Sequence, residues 1–335
     1  MTETPVLRVE NLKKHFPIFK GIIPRPAGKV FAVDGLTFEI ARGETLGLVG
    51  ESGCGKSTAG RTLLKLLEPT SGSIHLSGED ITHLDRPAML PYRQRMQMIY
   101  QDPYASLNPR MTAGAIVGEP LIIHNVASGQ DRQDRVASLF NRVGLRPEAM
   151  RLYPHEFSGG QRQRIGIARA LALSPALIVG DEPVSALDVS IQAQIINLMM
   201  DLQDEFQLSY LFVAHDLAVV EHISHRVAVM YLGRIVEMTD KKSLFEMPLH
   251  PYTEALLSAV PIPKSGARGR RRVIVKGDVP SPINPPSGCH FHTRCGYATA
   301  RCRIESPVLR EVAAGHLAAC HLHDGGVRRP LAAAD

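Results

Sequence analysis

Short apolar runs alternate along the chain with segments in which apolar residues recur at helical spacing. The runs at 45–49, 177–179 and 210–214 have the length of buried strands. Helical spacing follows in 162–173 and again from about 190 to 206. This alternation predicts an α/β domain with an open sheet, in which ligand-binding groups stand at the carboxyl ends of strands.

The amino-terminal part has a different pattern. Apolar and polar residues alternate in 7–12 and 31–40, and the second stretch contains a predicted turn at Asp34-Gly35, which indicates antiparallel strands. Residues 17–30 are predicted to form a loop between the two stretches. Phe16, just before this loop, is a candidate to stack on an adenine ring, with ordinary core packing as the alternative.

The middle of the chain changes to a mostly helical pattern. Short strands are predicted at 73–76 and 97–100. From 113 to about 152 the apolar residues recur mainly at helical spacing, and residues 134–143 are amphipathic. This pattern predicts a helical insertion that interrupts the α/β domain over about residues 102–172.

A glycine-rich segment follows the apolar run at 45–49 and precedes a helix that we expect to end near Pro69. Its glycines let the backbone curl so that successive N–H groups point at a polyphosphate, and the helix N-terminus adds positive charge. Lys56 is expected to reach the β- and γ-phosphates, and Ser57 to bind Mg²⁺. The predicted phosphate loop consists of Gly50, Glu51, Ser52, Gly53, Cys54, Gly55, Lys56, Ser57 and Thr58.

A second anion-binding surface is predicted where a later helix begins. Ser158 stands at the N-cap position of this helix. A hydroxyl, flexible backbone and a helix N-terminus together suit an anion, although a simple capped helix would have the same sequence. The candidate nucleotide contacts in this part of the chain are Ser158, Gly159, Gly160, Gln161 and, in a turn farther along, Asp188.

Polar side chains stand at the ends of three predicted strands. Gln101 follows one strand and His215 another, and Asp181 and Glu182 end the third. Asp181 is positioned to hold Mg²⁺ through water or the Ser57 hydroxyl, and Glu182 to polarise an attacking water. Gln101 is a further candidate for the Mg²⁺ site. Each residue alone is weak evidence, but their order along the chain indicates one nucleotide-hydrolysing site.

Composition is that of a globular protein. The chain has 335 residues with 38 Lys and Arg against 33 Asp and Glu, so an acidic partner is allowed but not required. No run of about 18 uncharged apolar residues and no signal-peptide pattern occur, so we expect the protein to stay in the cytosol. The basic run at 268–272 lacks interleaved aromatic residues, which favours a solvated linker over a lipid or nucleic-acid contact.

This ordered set of motifs resembles the ATP-binding subunits of ABC transporters over about residues 5–245. The resemblance implies a phosphate-loop fold of the ABC type, with a RecA-like α/β core, an antiparallel β subdomain and a helical insertion. It implies that ATP and Mg²⁺ are bound, and ATP is hydrolysed, by Lys56, Ser57, Gln101, Asp181, Glu182 and His215. The loop from Ser158 is expected to contact the γ-phosphate held by another subunit. The sequence departs from the family pattern at two positions: Phe157 stands where leucine is commoner, and Gly180 where a bulkier residue is usual. Neither substitution changes a ligand-bearing atom.

Further motifs narrow the resemblance to the dipeptide and oligopeptide importers. Within that branch the sequence most resembles the F-type ATPase subunit of dipeptide importers. These motifs are residues 101–110, 181–188, His250-Pro251-Tyr252-Thr253 and the proline-rich 280–289. The resemblance implies a nucleotide-binding domain over 1–245 and a Pro/Cys-rich extension over 246–335. It implies a second homologous ATPase subunit, two transmembrane permeases and an extracytoplasmic peptide-binding protein as partners, with the ATPase at the cytoplasmic face of the cell membrane.

Several other functions are compatible with a phosphate loop. They are a soluble ABC-type ATPase of DNA repair or translation, a phosphate-loop kinase, a structural metal-binding protein, and an importer of the same branch that carries nickel or sugars. DNA-repair relatives insert long coiled coils into the nucleotide domain and translation relatives carry two such domains, and this sequence has neither. A kinase does not need the loop at 158–161 or His215.

Four cysteines cluster late in the chain, at Cys289, Cys295, Cys302 and Cys320. They lie in a Pro-rich tail with too little regular apolar periodicity to form a strong core by itself. Such a small segment usually needs a metal or another cross-link for stability, so an inorganic centre is favoured over four reduced structural thiols. Zinc is one candidate, with His290, His292 or His321 as additional ligands.

The cysteine spacing bears on the choice of metal. Structural zinc sites tend to use cysteines two to four residues apart, whereas these lie farther apart, as suits a cluster bound by four thiolates. The family resemblance implies a [4Fe–4S] cluster in this segment. We expect this cluster to be structural, to lie far from the ATP and to hold the tail near the partner ATPase.

Overall fold

The computed structural model describes residues 4–21, 25–259 and 277–324. The basic run at 268–272 lies outside the described residues. Two compact units are formed, one from the described residues of 1–8, 39–45 and 75–213, the other from those of 9–38, 46–74 and 214–335. The predicted domain boundary at residue 245 stays a prediction.

Strands and helices alternate over most of the chain, which confirms the predicted α/β class. The strands are β1 (Leu7–Lys20), β2 (Arg25–Ile40), β3 (Thr45–Val49), β4 (Ser71–Leu76), β5 (Glu79–Asp80), β6 (Met96–Ile99), β7 (Leu177–Asp181), β8 (Ser209–Ala214), β9 (Arg226–Tyr231), β10 (Arg234–Asp240), β11 (Arg310–Ala313) and β12 (His316–Ala318). The α-helices are α1 (Lys56–Leu63), α2 (Leu90–Arg95), α3 (Ala113–Ile123), α4 (Gly129–Arg142), α5 (Gly159–Leu171), α6 (Val189–Phe206), α7 (Leu217–Ile223), α8 (Lys241–Glu246) and α9 (Pro251–Ser258). Short 3₁₀ helices lie at Pro147–Arg151, Pro154–Glu156, Arg301–Arg303 and His321–His323.

Parallel strands in the order β6-β7-β8 form a sheet in the first unit. Ile99 of β6 is paired with Gly180 of β7, and Asp181 of β7 with Val213 of β8. Every residue of β7 and β8 is buried, which explains the apolar runs at 177–179 and 210–214 within them. The register brings the carboxyl ends of β6 and β7 to one edge of the sheet.

The predicted helical insertion is present in the first unit as α3, α4 and α5. Thr112 caps α3 by accepting a hydrogen bond from the Ala115 N–H at 3.3 Å. On α4, Val136 and Phe140 are the buried residues, one turn apart, while most of the remaining helix is polar. No helix among the described residues is long and apolar enough to span a membrane.

The second unit contains a parallel pair of strands, β3 and β9, and the carboxyl-terminal strands. β3 runs parallel to β9, with Leu46 opposite Arg226 and Val49 opposite Val229. β9 pairs with β10 in antiparallel direction, β10 with β12, and β12 with β11. The carboxyl-terminal extension therefore adds two strands to the sheet that contains β3.

The predicted loop at 17–30 and turn at Asp34-Gly35 are wrong. β1 continues to Lys20 and β2 begins at Arg25, and in their sheet β1 lies between β2 and β4. Residues 25–29 are exposed, so this part of β2 leaves no burial pattern in the sequence. Gly35 has a φ of 92°, which bends β2 without reversing it, and Asp34 is held by its N–H bond to the Gly233 carbonyl at 2.8 Å.

The helix after the phosphate loop is shorter than predicted. α1 ends at Leu63 rather than near Pro69, although the sequence continues with good helix formers. Lys65 adopts a left-handed φ of 53°, and the N–H groups of Leu66 and Leu67 donate to the Arg61 carbonyl. Such backward bonds satisfy the last carbonyls and end the helix.

Candidate nucleotide-binding site

The phosphate loop has the curled backbone that its glycines predict. Gly50 has a φ of 154° and Gly55 a φ of 107°. A Cβ atom on Gly50 would lie 2.2 Å from the Met230 carbonyl oxygen, and one on Gly55 would lie 1.9 Å from that of Ala32. Only glycine fits these two positions, because both the conformation and the available space exclude a side chain.

Lys56 holds the loop in this shape. Its side chain is buried, and Nζ donates to the Gly50 carbonyl at 2.8 Å and to the Glu51 carbonyl at 3.1 Å. The buried Cys54 thiol lies 3.9 Å from the same ammonium, and burial raises the pKa of this thiol. The loop is thus closed around the ammonium group that is predicted to meet the phosphates.

The remaining loop residues lie around this centre. Ser52 and Gly53 form the exposed tip, and Ser57 and Thr58 are half-buried in the first turn of α1. The Gly233 N–H donates to the Cys54 carbonyl at 2.9 Å, which anchors the loop to the turn between β9 and β10. Their predicted contacts with phosphate and Mg²⁺ stay predictions.

Glu51 carries contacts that the sequence did not predict. Its N–H donates to the Tyr252 hydroxyl at 2.8 Å, and its carboxylate accepts two hydrogen bonds from the Arg294 guanidinium at 2.8 and 3.1 Å. Tyr252 belongs to the family motif at residues 250–253, for which the sequence predicts no role in the phosphate loop. No sequence pattern indicates a role for Arg294. These bonds join the loop to the carboxyl-terminal part of its unit.

Two predicted site residues of the first unit lie in direct contact. Gln101 follows β6, Glu182 follows β7, and the Gln101 Nε2 donates to the Glu182 Oε2 at 3.1 Å. Glu182 has a left-handed φ of 48°, and its N–H donates to the Val213 carbonyl at 2.9 Å. Asp181, the last residue of β7, is buried. A non-glycine residue with positive φ is uncommon and marks many functional sites.

The Ser158 loop is a capped helix start, as the sequence predicts. Ser158 Oγ accepts a hydrogen bond from the Gln161 N–H at 3.3 Å, and Gln161 Oε1 accepts one from the Ser158 N–H at 2.9 Å. A Cβ atom on Gly160 would lie 2.6 Å from Ile191 of α6, so this glycine permits close packing of two helices. Phe157 is buried and leaves the exposed serine unaffected.

Three further residues, Asp188, His215 and Phe16, are candidates for the nucleotide site. Asp188 is exposed at the N-terminus of α6, and His215 is exposed after β8. Phe16 is half-buried rather than in the core, and the Lys14 ammonium lies 4.9 Å from the centre of its ring. Stacking of Phe16 on adenine stays a prediction.

The four late cysteines line one small cavity. This cavity has a volume of about 20 Å³ and is also lined by His292 and His321, whereas His290 is not part of its wall. Burial raises the pKa of the Cys295 thiol to about 11 and that of Cys320 to about 12. Among residues 4–21, 25–259 and 277–324, no group of three or more His, Cys, Asp or Glu side chains is arranged to hold a metal ion. The predicted cluster and the zinc alternative therefore gain no support from this arrangement.

The histidines near the cavity make other contacts. His321 has its Nδ1 3.0 Å from Asp324 Oδ2 and its Nε2 2.9 Å from the Glu305 carbonyl oxygen. His292 Nδ1 lies 2.8 Å from the Cys289 carbonyl oxygen. Both ring nitrogens of His321 thus face oxygen acceptors, which weakens its case as a metal ligand.

The cysteine segment, defined as residues 289–320, contacts the phosphate loop. Arg294, next to Cys295, forms the ion pair with Glu51 in the phosphate loop. Phe291 is buried and packs against Tyr231 and Tyr252, with ring centroids 5.3 and 5.4 Å apart. Contacts distant in sequence thus fold this segment back onto the loop, and the expected distance between a cluster and the ATP stays a prediction.

Comparison with known proteins identifies the family. Residues 33–185 match the ABC transporter family, and residues 236–302 match the oligopeptide/dipeptide transporter C-terminal region. The oligopeptide transport ATP-binding protein AppF of Bacillus subtilis is 56% identical over 320 residues, which cover 95% of this chain and 97% of AppF. The chain belongs to the ATP-binding protein family of ABC transporters.

Another ATP-binding protein and a solved structure are also similar to this chain. The dipeptide transport ATP-binding protein DppF of Haemophilus influenzae is 51% identical, with 95% of this chain and 96% of DppF covered. A solved ATP-binding cassette, MJ0796, described as a dimer in a post-hydrolysis state with ADP and phosphate, is 27% identical with a TM-score of 0.63. The match covers 70% of this chain and 98% of that cassette. The protein is thus an ABC-type ATPase with the corresponding fold.

Proposed function

We propose that this protein is the ATP-hydrolysing subunit of an importer of dipeptides or oligopeptides. The observation that carries the proposal is the match of residues 236–302 to the oligopeptide/dipeptide transporter C-terminal region, on a chain that also has a complete phosphate loop. The relatives named for oligopeptide and dipeptide transport match over nearly their whole length. Nickel or sugar import by the same branch is the alternative.

The proposed ATP site assigns a role to each polar residue. Lys56 meets the β- and γ-phosphates, and Mg²⁺ is held by Ser57 and Asp181, with Gln101 as a further contact. Glu182 polarises the attacking water, and His215 supports hydrolysis. The hydrogen bond from Gln101 to Glu182 supports this assignment, because it orients one carboxylate oxygen and leaves the carboxylate partly exposed.

ATP binding is proposed to join two nucleotide domains. The Ser158 loop of one chain then contacts the γ-phosphate held by a second, homologous ATPase subunit, for which the exposed serine and the positive end of α5 are suited. The pair works under two membrane permeases at the cytoplasmic face of the membrane, supplied by an extracytoplasmic peptide-binding protein. Closing and opening of the pair changes the access of the permeases.

The four cysteines are proposed to hold a [4Fe–4S] cluster, with zinc as the alternative metal. Four thiolates are the donor type that such a cluster requires, and Cys289, Cys295, Cys302 and Cys320 line one cavity. Such a cluster, when bound, supplies a covalent cross-link within a segment of little regular structure. Anaerobic purification followed by iron, sulfide and zinc analysis tests this. Stoichiometric zinc without iron or sulfide contradicts the cluster, and absence of all metals contradicts both.

Catalysis is tested with Glu182→Gln in the assembled transporter. The carboxamide cannot accept a proton from water, so we expect ATP hydrolysis to fall at least about a hundredfold while ATP still binds. Glu148→Gln, an exposed glutamate in the same unit, is the matched control and should hydrolyse ATP like the wild type. Near-normal hydrolysis by Glu182→Gln means that another group is the base.

Transport is tested by co-purification with two permeases and by uptake of labelled di- and tripeptides into vesicles that contain the complete complex. Uptake that depends on ATP and on Glu182 supports the importer. Uptake of nickel or sugars instead of peptides indicates the alternative substrate. ATPase activity that is stimulated by nucleic acid and independent of permeases indicates a soluble ABC-type ATPase.

A further inference from the structure

Glu51, the second residue of the phosphate loop, is held from the carboxyl-terminal extension by two independent contacts. The Tyr252 hydroxyl accepts its N–H, and the Arg294 guanidinium binds both oxygens of its carboxylate. Two parallel charge-assisted hydrogen bonds fix direction as well as distance. The position of Glu51 is therefore set by residues that lie 201 and 243 positions away in the sequence.

The surroundings of Arg294 restrict its movement. Its side chain is only 9% exposed, and that of Glu51 is 28% exposed. The guanidinium carbon lies 6.0 Å from the ring centre of Tyr231 and 5.9 Å from that of Phe291. Removing one partner of an ion pair that is shielded in this way leaves an uncompensated charge, so it has a larger effect than removing one partner of an exposed pair.

Glu51 also contacts Lys56, the residue proposed to bind the phosphates. Lys56 Nζ donates to the carbonyl oxygens of Gly50 and Glu51, so a shift of the Glu51 backbone displaces the ammonium. Because the Glu51 N–H is used by Tyr252, the residue acts as a support of the loop rather than as a phosphate donor. Arg294 contacts Glu51, and Glu51 contacts Lys56, so the three residues form one continuous series of contacts.

We propose that Arg294 is a positioning residue for nucleotide binding, through which the cysteine segment sets the affinity of the phosphate loop for Mg-ATP. This inference rests on the proposed ATP site at Lys56. It assigns the extension a role in ATP binding in addition to any role in assembly. Arg294 acts through Glu51 and does not touch the nucleotide.

The test measures Mg-ATP affinity and steady-state hydrolysis of the full-length chain with Arg294→Ala. The loss of a charge-assisted bidentate contact is expected to raise Kd and KM for ATP about tenfold, with kcat within about twofold. Arg294→Lys keeps the charge but loses the second bond, so it should recover part of the affinity. The matched control is Arg301→Ala, which removes ion pairs to Glu305 and Asp324 in the same segment and should bind Mg-ATP like the wild type.

A second variant covers the case in which Arg294→Ala does not fold. Glu51→Gln removes the carboxylate charge but keeps the N–H bond to Tyr252, and it is expected to raise Kd by a similar factor. In the double variant the two effects should not add, because both remove one interaction.

Wild-type affinity in a folded Arg294→Ala variant overturns the inference, as do wild-type affinity in Glu51→Gln and additivity in the double variant. A fall in kcat at unchanged Kd and KM overturns it as well. Lys56→Ala measured alongside separates the two proposals. If Lys56→Ala lowers affinity and Arg294→Ala does not, only this inference fails. If Lys56→Ala also binds Mg-ATP normally, the proposed ATP site is wrong and the inference fails with it.

Discussion

The phosphate loop and the cysteine segment belong to the same compact unit but are shaped by contacts of very different range. Lys56 closes the loop onto carbonyl groups five and six residues away. In the cysteine segment His316 binds Glu237 across 79 positions, and Arg294 binds Glu51 across 243. Contacts between residues close in sequence can be predicted from a motif, whereas contacts between distant residues cannot be predicted from any pattern in the sequence.

Glu237 shows how the long-range contacts hold the extension. Its carboxylate is fully buried and accepts hydrogen bonds from the N–H groups of Leu249 and His250 and from His316 Nε2, at 2.7, 2.9 and 2.7 Å. His323 Nε2 donates to the Leu249 carbonyl at 2.7 Å. These donors compensate the desolvation of the buried carboxylate, so loss of one of them should destabilise the fold.

The largest effect is expected from the local region. Lys56→Ala removes the ammonium that both closes the loop and meets the phosphates, so affinity for Mg-ATP should fall about a hundredfold. Nucleotide titration of the full-length chain measures this. Lys242→Ala, an exposed lysine of the same unit, is the control and should bind as the wild type does. Unchanged affinity of Lys56→Ala would show that the local motif does not bind nucleotide.

A smaller effect is expected from the long-range network. His316→Leu removes a buried donor to the Glu237 carboxylate and should lower the free energy of unfolding by about 2 kcal/mol. Chemical denaturation measures this, with the exposed His222→Leu as the control at about 0.5 kcal/mol or less. Equal stability of the two variants would mean that the network is not an anchor.

The smallest effect is a dependence of stability on pH. Burial lowers the pKa of His250 to about 4, from an ordinary value of 6.5, and its Nδ1 accepts the Tyr252 N–H. Between these pH values the unfolded chain binds the proton and the folded chain does not, so stability should fall as pH drops from 6.5 to 4.

The variant His250→Asn keeps an acceptor for the Tyr252 N–H but does not titrate in this range. Thermal unfolding followed from pH 7 to 4 should show a weaker pH dependence for His250→Asn than for the wild type. His290 retains a similarly lowered pKa of about 4, so part of the dependence should remain. Identical profiles would exclude His250 as a source.

Much of the fold and of the site could be predicted from the sequence where burial or backbone conformation is local. β7 and β8 are buried throughout and contain the apolar runs 177–179 and 210–214, and Ser158 caps α5 through Gln161, three residues on. The contact of Gln101 with Glu182 follows from the ends of adjacent parallel strands.

The failures have an equally physical cause. Residues 25–29 are paired but exposed, so β2 begins without an apolar pattern. α1 ends early because Lys65 adopts a left-handed conformation that the sequence of leucines does not indicate. Arg294 carried no signal, because an arginine between cysteines does not indicate which distant carboxylate it will meet.

The antiparallel pairing of β12 with β10 has a consequence for any shortened form of the protein. A chain truncated after residue 245 would expose the edge of β10, where Ile235, Val236 and Met238 are buried in the intact protein. Unpaired strand edges with apolar side chains recruit strands from other molecules. We therefore expect the truncated chain to precipitate at concentrations at which the full chain remains in solution.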